Sequence, residues 1–334
     1  MSRAVSVLLP AFNAAHTLSA ALRSVQRQTE RNWQCVVVDD GSSDRTLEVA
    51  RAAARLDARI EVMARPHGGI VAALQAGLAA CDAPLVARMD ADDLMSRKRL
   101  QLQCRALEEQ PELCAVGAHV RLFPRGALRE GRLAYERWLC EIRTPEDVSR
   151  EQFVECPIAH PTLMIRREIA RELGYRGMGW PEDYDLILRL LAAGQRIGVV
   201  PERLLHWRDT EGRLSRTAPE YATAAFVHCK AEFLARGFLG HVGRYLLWGY
   251  GGTGKALAEA LAQRGKHPAA ILELHPRRIG QWIRGVRVVS PDALPSLPRL
   301  PLIVSVAGAT PRAEIRSALL RMGFVETRDY VCAA

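Results

Sequence analysis

Within its first ninety residues the chain passes four times through a short apolar run, at Val5-Ser6-Val7-Leu8-Leu9, Cys35 to Val38, Ile60-Glu61-Val62-Met63 and Leu85 to Met89. Helical stripes separate or follow these runs: Leu18, Leu22 and Val25, then Ile70, Leu74 and Leu78, then Leu100, Cys104 and Leu107. Alternating strand and helix patterns leave few architectures open, and the one they favour is a largely parallel α/β sheet with helices on its faces. The wholly apolar second run fits a strand covered on both sides. In open sheets of this kind ligands bind beyond the carboxyl ends of the strands, so the residues after each run are the first place to look for chemistry.

The bulk properties narrow the class. A length of 334 residues suits two domains, each with its own core. The strand pattern restarts at Tyr245-Leu246-Leu247-Trp248, which puts the expected boundary near residue 240: one domain over 1–239 and a smaller one over 240–334. The formal charge of +9 comes from scattered arginines, without a polybasic block or the aromatic–basic pattern of a nucleic-acid module. It suits anionic ligands or an anionic membrane surface, and no nucleic-acid partner is expected. The apolar run at the N-terminus is too short for a signal peptide, and no stretch approaches the roughly 20 residues that span a bilayer. The eight cysteines lack CxxC spacing, so neither a zinc site nor a disulfide framework is expected, and a reducing cytoplasm is the simplest setting.

The loops after the runs are unusual. The first is Pro10-Ala11-Phe12-Asn13, an aromatic ring beside an Asn suited to capping a helix. The second is Asp39-Asp40-Gly41-Ser42-Ser43-Asp44; a turn and a helix start explain Gly41 and Asp44 but not two adjacent acids, whose repulsion calls for a ligand or cation. The fourth is Met89-Asp90-Ala91-Asp92-Asp93. Residues two apart in extended chain share a face, so Asp90 and Asp92 can meet one ion, and hard carboxylate oxygens suit Mn²⁺ or Mg²⁺. A further cluster, Glu182-Asp183-Tyr184-Asp185, opens a helix whose stripe is Leu186, Ile187, Leu190 and Leu191. At about 100° per residue Asp183 falls on that stripe while Asp185 falls opposite, which makes Asp183 the carboxylate expected at a cavity floor and a general-base candidate. Glu182 and Asp185 are covered by the preference of acids for a first helical turn. His67, in Arg65-Pro66-His67-Gly68-Gly69, reads equally as a donor-side loop and as a simple turn, and His160 reads as structural.

The segments VSVLLPAFN, VVVDDGSSD, ARPHGGIVAALQAGL, ARMDADD and WPEDYDLILRL, in that order, resemble the family 2 glycosyltransferases of GT-A fold over roughly residues 3 to 216. The resemblance implies a nucleotide-sugar donor, UDP-linked by expectation, with Pro10, Phe12, Asn13, Asp39 and Asp40 around the base. Phe12 would stack on the base, Asp40 would hydrogen-bond it, and Asp39 would shape the pocket. It implies Mn²⁺ or Mg²⁺ on Asp92 and Asp90, with His206 a further metal candidate, Asp93 and Arg208 supporting the diphosphate or sugar, and Asp183 as the base of an inverting displacement. The stretch from His206-Trp207-Arg208 to Arg213-Leu214-Ser215-Arg216 resembles the family's lid over the diphosphate. The setting implied is bacterial surface polysaccharide assembly, with a glycan or lipid-linked acceptor and peripheral association at the inner membrane face.

The smaller domain carries Gly249-Tyr250-Gly251-Gly252-Thr253-Gly254 between a strand and a helix, a GxGxxG in the context that seats a pyrophosphate, and Glu273 falls near the distance of a ribose-binding acid. The region resembles small Rossmann-like accessory domains; Gly249, Gly251, Gly254 and Glu273 are its candidate nucleotide contacts, and a purely structural role is an equal reading. Two rival classes remain, a non-catalytic nucleotide-sugar-binding protein and an NAD(P)-linked sugar-modifying enzyme acting through the smaller domain. The retained acids argue against the first and the N-terminal motifs against the second.

Overall fold

The computed structural model describes residues 3–210 and 213–334. In chain order the elements are β1 (Val5–Ala11), α1 (Leu18–Gln26), β2 (Trp33–Asp39), α2 (Thr46–Leu56), β3 (Ile60–Ala64), α3 (Gly69–Ala80), β4 (Leu85–Arg88), β5 (Leu94–Met95), α4 (Arg99–Glu109), β6 (Leu113–Phe123), α5 (Glu130–Glu141), α6 (Pro145–Glu151), β7 (Met164–Arg166), α7 (Arg167–Leu173), α8 (Glu182–Ala192) and β8 (Arg196–Arg208). They continue as α9 (Leu214–Thr217), α10 (Thr223–Arg236), β9 (Arg244–Trp248), α11 (Gly252–Ala262), β10 (His267–Leu272), β11 (Trp282–Ile283), β12 (Val286–Val289), β13 (Leu302–Val304), α12 (Ala309–Arg321) and β14 (Tyr330–Cys332).

The chain forms two compact units. The first takes residues 1–148, 157–178 and 185–213; the second takes 149–156, 179–184 and 214–334. The expected division at residue 240 therefore differs from the observed one. Helix α10 packs on α11, burying Val227, Ala231 and Leu234, so residues 214–239 condense with the C-terminal strands.

In the first unit an eight-stranded sheet runs β3-β2-β1-β4-β7-β6-β8-β5. The four strands expected from the apolar runs are mutually parallel, with Leu8 opposite both Val36 and Arg88, and β7 turns antiparallel to β4. Both faces of β1 and β2 are buried, which is why their sequences read as apolar runs without a period of two. Beneath them Leu18, Leu22 and Val25 of α1 join Leu9, Val37, Met89 and Leu100 in one core. Between residues 110 and 175, β6 is an eleven-residue strand buried from Leu113 to Val120 and followed by α5, α6, the short strand β7 and α7. Burial on both faces removes the alternation that would have revealed it.

In the second unit the sheet order is β11-β12-β10-β9-β13-β14. Apart from β11 its pairings are parallel, giving the 3-2-1-4-5 arrangement of a doubly wound fold, with the chain's direction of winding reversing beside β9. Leu246, Trp248, Leu272, Val304 and Leu319 form its core.

Candidate active site

The parallel order places the loops after β1, β2, β3 and β4 at one edge of the first sheet, and hydrogen bonds lace them together. Asn13, at φ 48°, donates its N–H to Ser42 Oγ at 2.9 Å and accepts the Ser43 N–H on Oδ1 at 2.9 Å. Asp44 accepts from the N–H groups of Ala15 and Thr46, and Ala14 N–H donates to Thr46 Oγ1 at 2.7 Å. Asn13 is thus a loop lock and not the helix cap expected of it; α1 starts at Leu18 with Thr17 at its cap position. Gly41, at φ +71°, lets the second loop touch the third, because a Cβ there would lie 2.5 Å from the backbone N of His67.

Against this frame Asp40 is 3 % exposed and fully engaged. Its carboxylate pairs with Arg65, accepts N–H bonds from Gly68 at 3.1 Å and Gly69 at 2.8 Å, and lies 2.9 Å from His67 Nδ1. The Gly68 and Gly69 donors are the unsatisfied N–H groups at the start of α3, a natural seat for an anion. Phe12 is 48 % exposed and stacks on the His67 ring with centroids 4.3 Å apart and planes 24° apart. Asp39 is buried; Oδ2 accepts a long bond from Ser42 N–H at 3.4 Å, while Oδ1 has no hydrogen-bond partner. Pro10 is buried within β1 opposite Val38, so it shapes the strand end from behind. Arg65 and His67 complete the pocket that the acids and Phe12 announced, and the clue to them lay in the Arg-Pro-His-Gly-Gly loop.

The loop after β4 brings the oxygens of Asp90, Asp92 and Asp93 within 4.8 Å of one another. Their charges are handled unequally. Burial works against ionisation of Asp90, yet Arg88, whose Nη2 is 2.6 Å away, and Arg213, at 3.9 Å, hold its carboxyl below the usual range. Burial and the neighbouring Asp90 push Asp92 up. Asp93 is fully buried; burial, then Asp90 and Asp92, push it well above the ordinary carboxylate range. Its Oδ1 accepts the Arg208 N–H at 2.7 Å and its Oδ2 has no partner. Three carboxylates this close, one with an orphaned buried oxygen, fit a divalent cation, since a hard cation supplies the charge that the protein does not.

Arginines frame the acids. Arg208 donates Nε–H to the Asp92 carbonyl at 2.8 Å and lies over the Phe123 ring, and Arg213 donates to the Arg208 carbonyl at 2.7 Å while covering Trp207. Arg99 is wholly buried among Gln103 Oε1, the Arg88 carbonyl and Met89 sulfur, where burial pulls its guanidinium down to about 9 against the opposing pull of Asp93 and Asp90. His160, buried on Tyr175 Oη at 2.9 Å, is held neutral by burial and by Arg88, with its pKa well below the ordinary value. His206 is exposed on β8, its ring centroid 6.4 Å from that of Phe123 and its backbone paired with Leu94 just after the acids; the oxygens within 4.8 Å of one another are those of the three aspartates. Of the expected lid, residues 211 and 212 and the side chains of Leu214 and Ser215 lie outside what the structure describes.

The helix with the second acid cluster is buried nearly all round, at Glu182, Tyr184, Asp185, Leu186, Ile187, Leu188 and Leu190, so its apolar stripe does not select an inward acid. Asp183, in its first turn, is part-exposed and accepts the Tyr184 N–H at 2.7 Å. Asp185, expected to be a solvent-side first-turn acid, is instead fully buried between Arg176, which donates two bonds at 2.8 Å, and Arg189 at 2.7 Å. A buried carboxylate paired to two guanidinium groups is a structural lock. Glu182 accepts from Tyr221 Oη.

In the second unit the glycine-rich turn follows β9. A Cβ at Gly254 would fall 2.2 Å from the Gly249 carbonyl and 2.5 Å from Ser305 Oγ, so that position excludes a side chain. Gly249 has φ +95°, and Gly251 has open space where a Cβ would point. Glu273 follows β10, which ends at Leu272; its carboxylate is held by Arg278 at 3.1 Å, which also donates to the Tyr250 carbonyl at 3.2 Å.

A sheet with parallel strands β3-β2-β1-β4, an aromatic pocket beyond them and a three-aspartate cluster after β4 define a glycosyltransferase of GT-A type. The family model for glycosyl transferase family 2 matches residues 6–174, and the chain belongs to that family. It is 30 % identical to the amylovoran biosynthesis glycosyltransferase AmsE of Erwinia amylovora over 208 residues, covering 61 % of this chain and 75 % of the relative. Among solved structures, S. aureus TarS in complex with UDP-GlcNAc superposes with a TM-score of 0.57 at 16 % identity, covering 78 % of this chain and 72 % of that one. The mannosyltransferase PcManGT of Pyrobaculum calidifontis, in complex with GDP-Man and Mn²⁺, superposes with a TM-score of 0.51 at 18 % identity, covering 79 % and 70 %.

Proposed function

We propose that the chain is an inverting, cation-dependent glycosyltransferase that moves a sugar from a UDP-linked donor to an acceptor hydroxyl during assembly of a bacterial surface polysaccharide. The observation that carries this reading is the gathering of Asp90, Asp92 and Asp93 within 4.8 Å at the edge where the donor loops meet. Asp92 and Asp90 would hold Mn²⁺ or Mg²⁺, with Asp93 behind them; when bound, the cation supplies Lewis-acid stabilisation of the charge that grows on the departing diphosphate. The binding of UDP-GlcNAc by TarS, and of GDP-Man with Mn²⁺ by PcManGT, supports the donor class and the ion. AmsE, named for amylovoran biosynthesis, supports the setting.

In this mechanism Phe12 stacks on the base and the open Oδ1 of Asp39 accepts a base N–H. Asp40 acts through Arg65 and the N-terminus of α3, holding the pocket's wall. Arg208 and Arg213 add positive charge beside the diphosphate, a role suited to guanidinium groups. Asp183 takes the proton from the acceptor hydroxyl as that oxygen bonds to the anomeric carbon and the carbon–diphosphate oxygen bond breaks, inverting the centre. The acceptor is a glycan or a lipid-linked sugar at the inner membrane face. For the second unit, Gly249, Gly251, Gly254 and Glu273 form a proposed nucleotide seat at the winding reversal; titration of the full chain with NAD(P)H or UDP, read by protection of this turn from hydrogen exchange, tests it, and no protection at saturating ligand leaves the structural role.

The test of the whole reading is release of nucleoside diphosphate from a panel of nucleotide sugars. Turnover that needs Mn²⁺ or Mg²⁺ and falls about 100-fold or more in Asp92→Ala is expected. Full turnover in chelator refutes it.

A further inference from the structure

We propose that the stretch from Leu274 to Arg287 in the second unit is a docking surface for an anionic phospholipid bilayer. The inference deepens the membrane-face location given above and rests on that reading. Residues 274 to 282 are exposed without interruption, among them Leu274 at 68 %, Ile279 at 39 % and Trp282 at 69 %. No Asp or Glu occurs from Leu274 to Pro291, while Arg277, Arg278, Arg284 and Arg287 do. Because the sheet order is β11-β12-β10, the chain leaving β10 crosses the end of β12 and returns as the edge strand β11, so these residues wrap one outer corner of the sheet.

The hairpin at that corner sorts its side chains. Arg284 and Gly285, at φ 50° and 75°, make the two-residue turn that hairpins favour, with Ile283 opposite Val286 and Trp282 opposite Arg287. Ile283 and Val286 line a cavity of about 230 Å³ together with Ala258 and Ile271. Strand alternation then sends Trp282 and Arg287 to the other face. Arg278 and Arg284 are partly neutralised by Glu273 and Glu259, whereas Arg277 and Arg287 make no ion pair among the described residues. An uncovered indole beside unpaired guanidinium groups on an acid-free strip matches the headgroup layer of an anionic leaflet: Trp prefers that depth and arginine meets lipid phosphates. An interfacial indole and unpaired arginines each contribute modestly, and on one surface their contributions add.

The test uses the full chain and vesicles of phosphatidylcholine, alone or with about 30 mol % phosphatidylglycerol, at near-physiological salt. Cosedimentation with the mixed vesicles only is expected, with release at high salt. Arg277→Gln with Arg287→Gln should weaken binding about 25-fold, roughly fivefold per arginine. Trp282→Ala should weaken it as well and remove the quenching of tryptophan emission by brominated lipid, while the melting temperature stays put because the position is exposed. No binding to the mixed vesicles, or equal binding by the variants, overturns the proposal. So does self-association in solution that Trp282→Ala abolishes without vesicle binding. Because no turnover is read, failure here leaves the transfer reaction standing.

Discussion

Replacing Asp93 by Asn tests the idea that the acid cluster is built for a cation. The Asp93 side chain is fully buried, with Oδ1 on the Arg208 N–H at 2.7 Å and Oδ2 unpartnered near Asp90 and Asp92. Without a cation Asp93 leaves one buried oxygen unpaired, at a cost of about 1–3 kcal/mol, the usual penalty for a buried polar group without a partner. Asparagine keeps the acceptor for Arg208 and turns an amide N–H toward the neighbouring carboxylates. The chelated variant should therefore be more stable than the chelated parent by about that amount at neutral pH, a rise of roughly 2–12 °C in the melting temperature of the first unit. The pH dependence has a definite sign. The folded pKa of Asp93 lies well above the unfolded carboxylate value near 3.9, so the folded protein binds the extra proton, and its contribution is complete below the unfolded value and lost as pH rises through the folded one. The chelated parent should lose stability over that rise and the variant should not. With Mn²⁺ the variant's advantage shrinks, because a cation at a hundred times its dissociation constant stabilises the parent by about 2.7 kcal/mol and the variant by less. Differential scanning calorimetry with chelator and with Mn²⁺, across pH, measures all of this. A chelated Asp93→Asn protein that melts below the parent at neutral pH refutes the reasoning.

Two further outcomes follow from the site. Phe12→Ala should raise the donor KM between about 5- and 150-fold with little change in kcat, since stacking one base is worth about 1–3 kcal/mol and the ring is distant from the reacting bond in the proposed mechanism; steady-state kinetics check it, and an unchanged KM removes Phe12 from the donor pocket. Asp183→Asn should keep donor affinity, read by calorimetric titration with the nucleotide sugar, while losing at least about 100-fold in transfer; lost donor binding would remove the base assignment.

The parallel strands were legible because burial on both faces writes an uninterrupted apolar run, and the loop acids stood out because nothing in a turn needs them. The same burial hid β6, whose pattern from Leu113 to Val120 lacks a period. The acid helix misled for a related reason. A stripe argument assumes one wet face, and α8 has almost none, so Asp185, which the stripe assigned to solvent, is the acid that two arginines bury. The partners of Asp40 were invisible for want of register. Arg65 and the start of α3 meet Asp40 only because β3 pairs beside β2, with Asp39 opposite Ala64.

The two halves of the site differ in how complete the protein leaves them. On the base side most polar groups are answered from within, with Asp39 Oδ1 left open: Asp40 by Arg65, Gly68 and Gly69, Asn13 by Ser42 and Ser43, Asp44 by Ala15 and Thr46. Such a frame needs no ligand to take its shape, so the entropy of ordering these loops is met during folding and is not charged against donor affinity. On the acid side Asp93 keeps an orphaned oxygen, the three carboxyls have pKa values driven apart, and Arg213 stands 3.9 Å from Asp90, beyond hydrogen-bond reach. That half is electrostatically unfinished. A donor bringing both a diphosphate and its cation would close it, whereas a free nucleoside would occupy the finished half alone. The affinity gap between a nucleoside and its diphosphate should therefore depend steeply on divalent cation, while nucleoside binding itself should not.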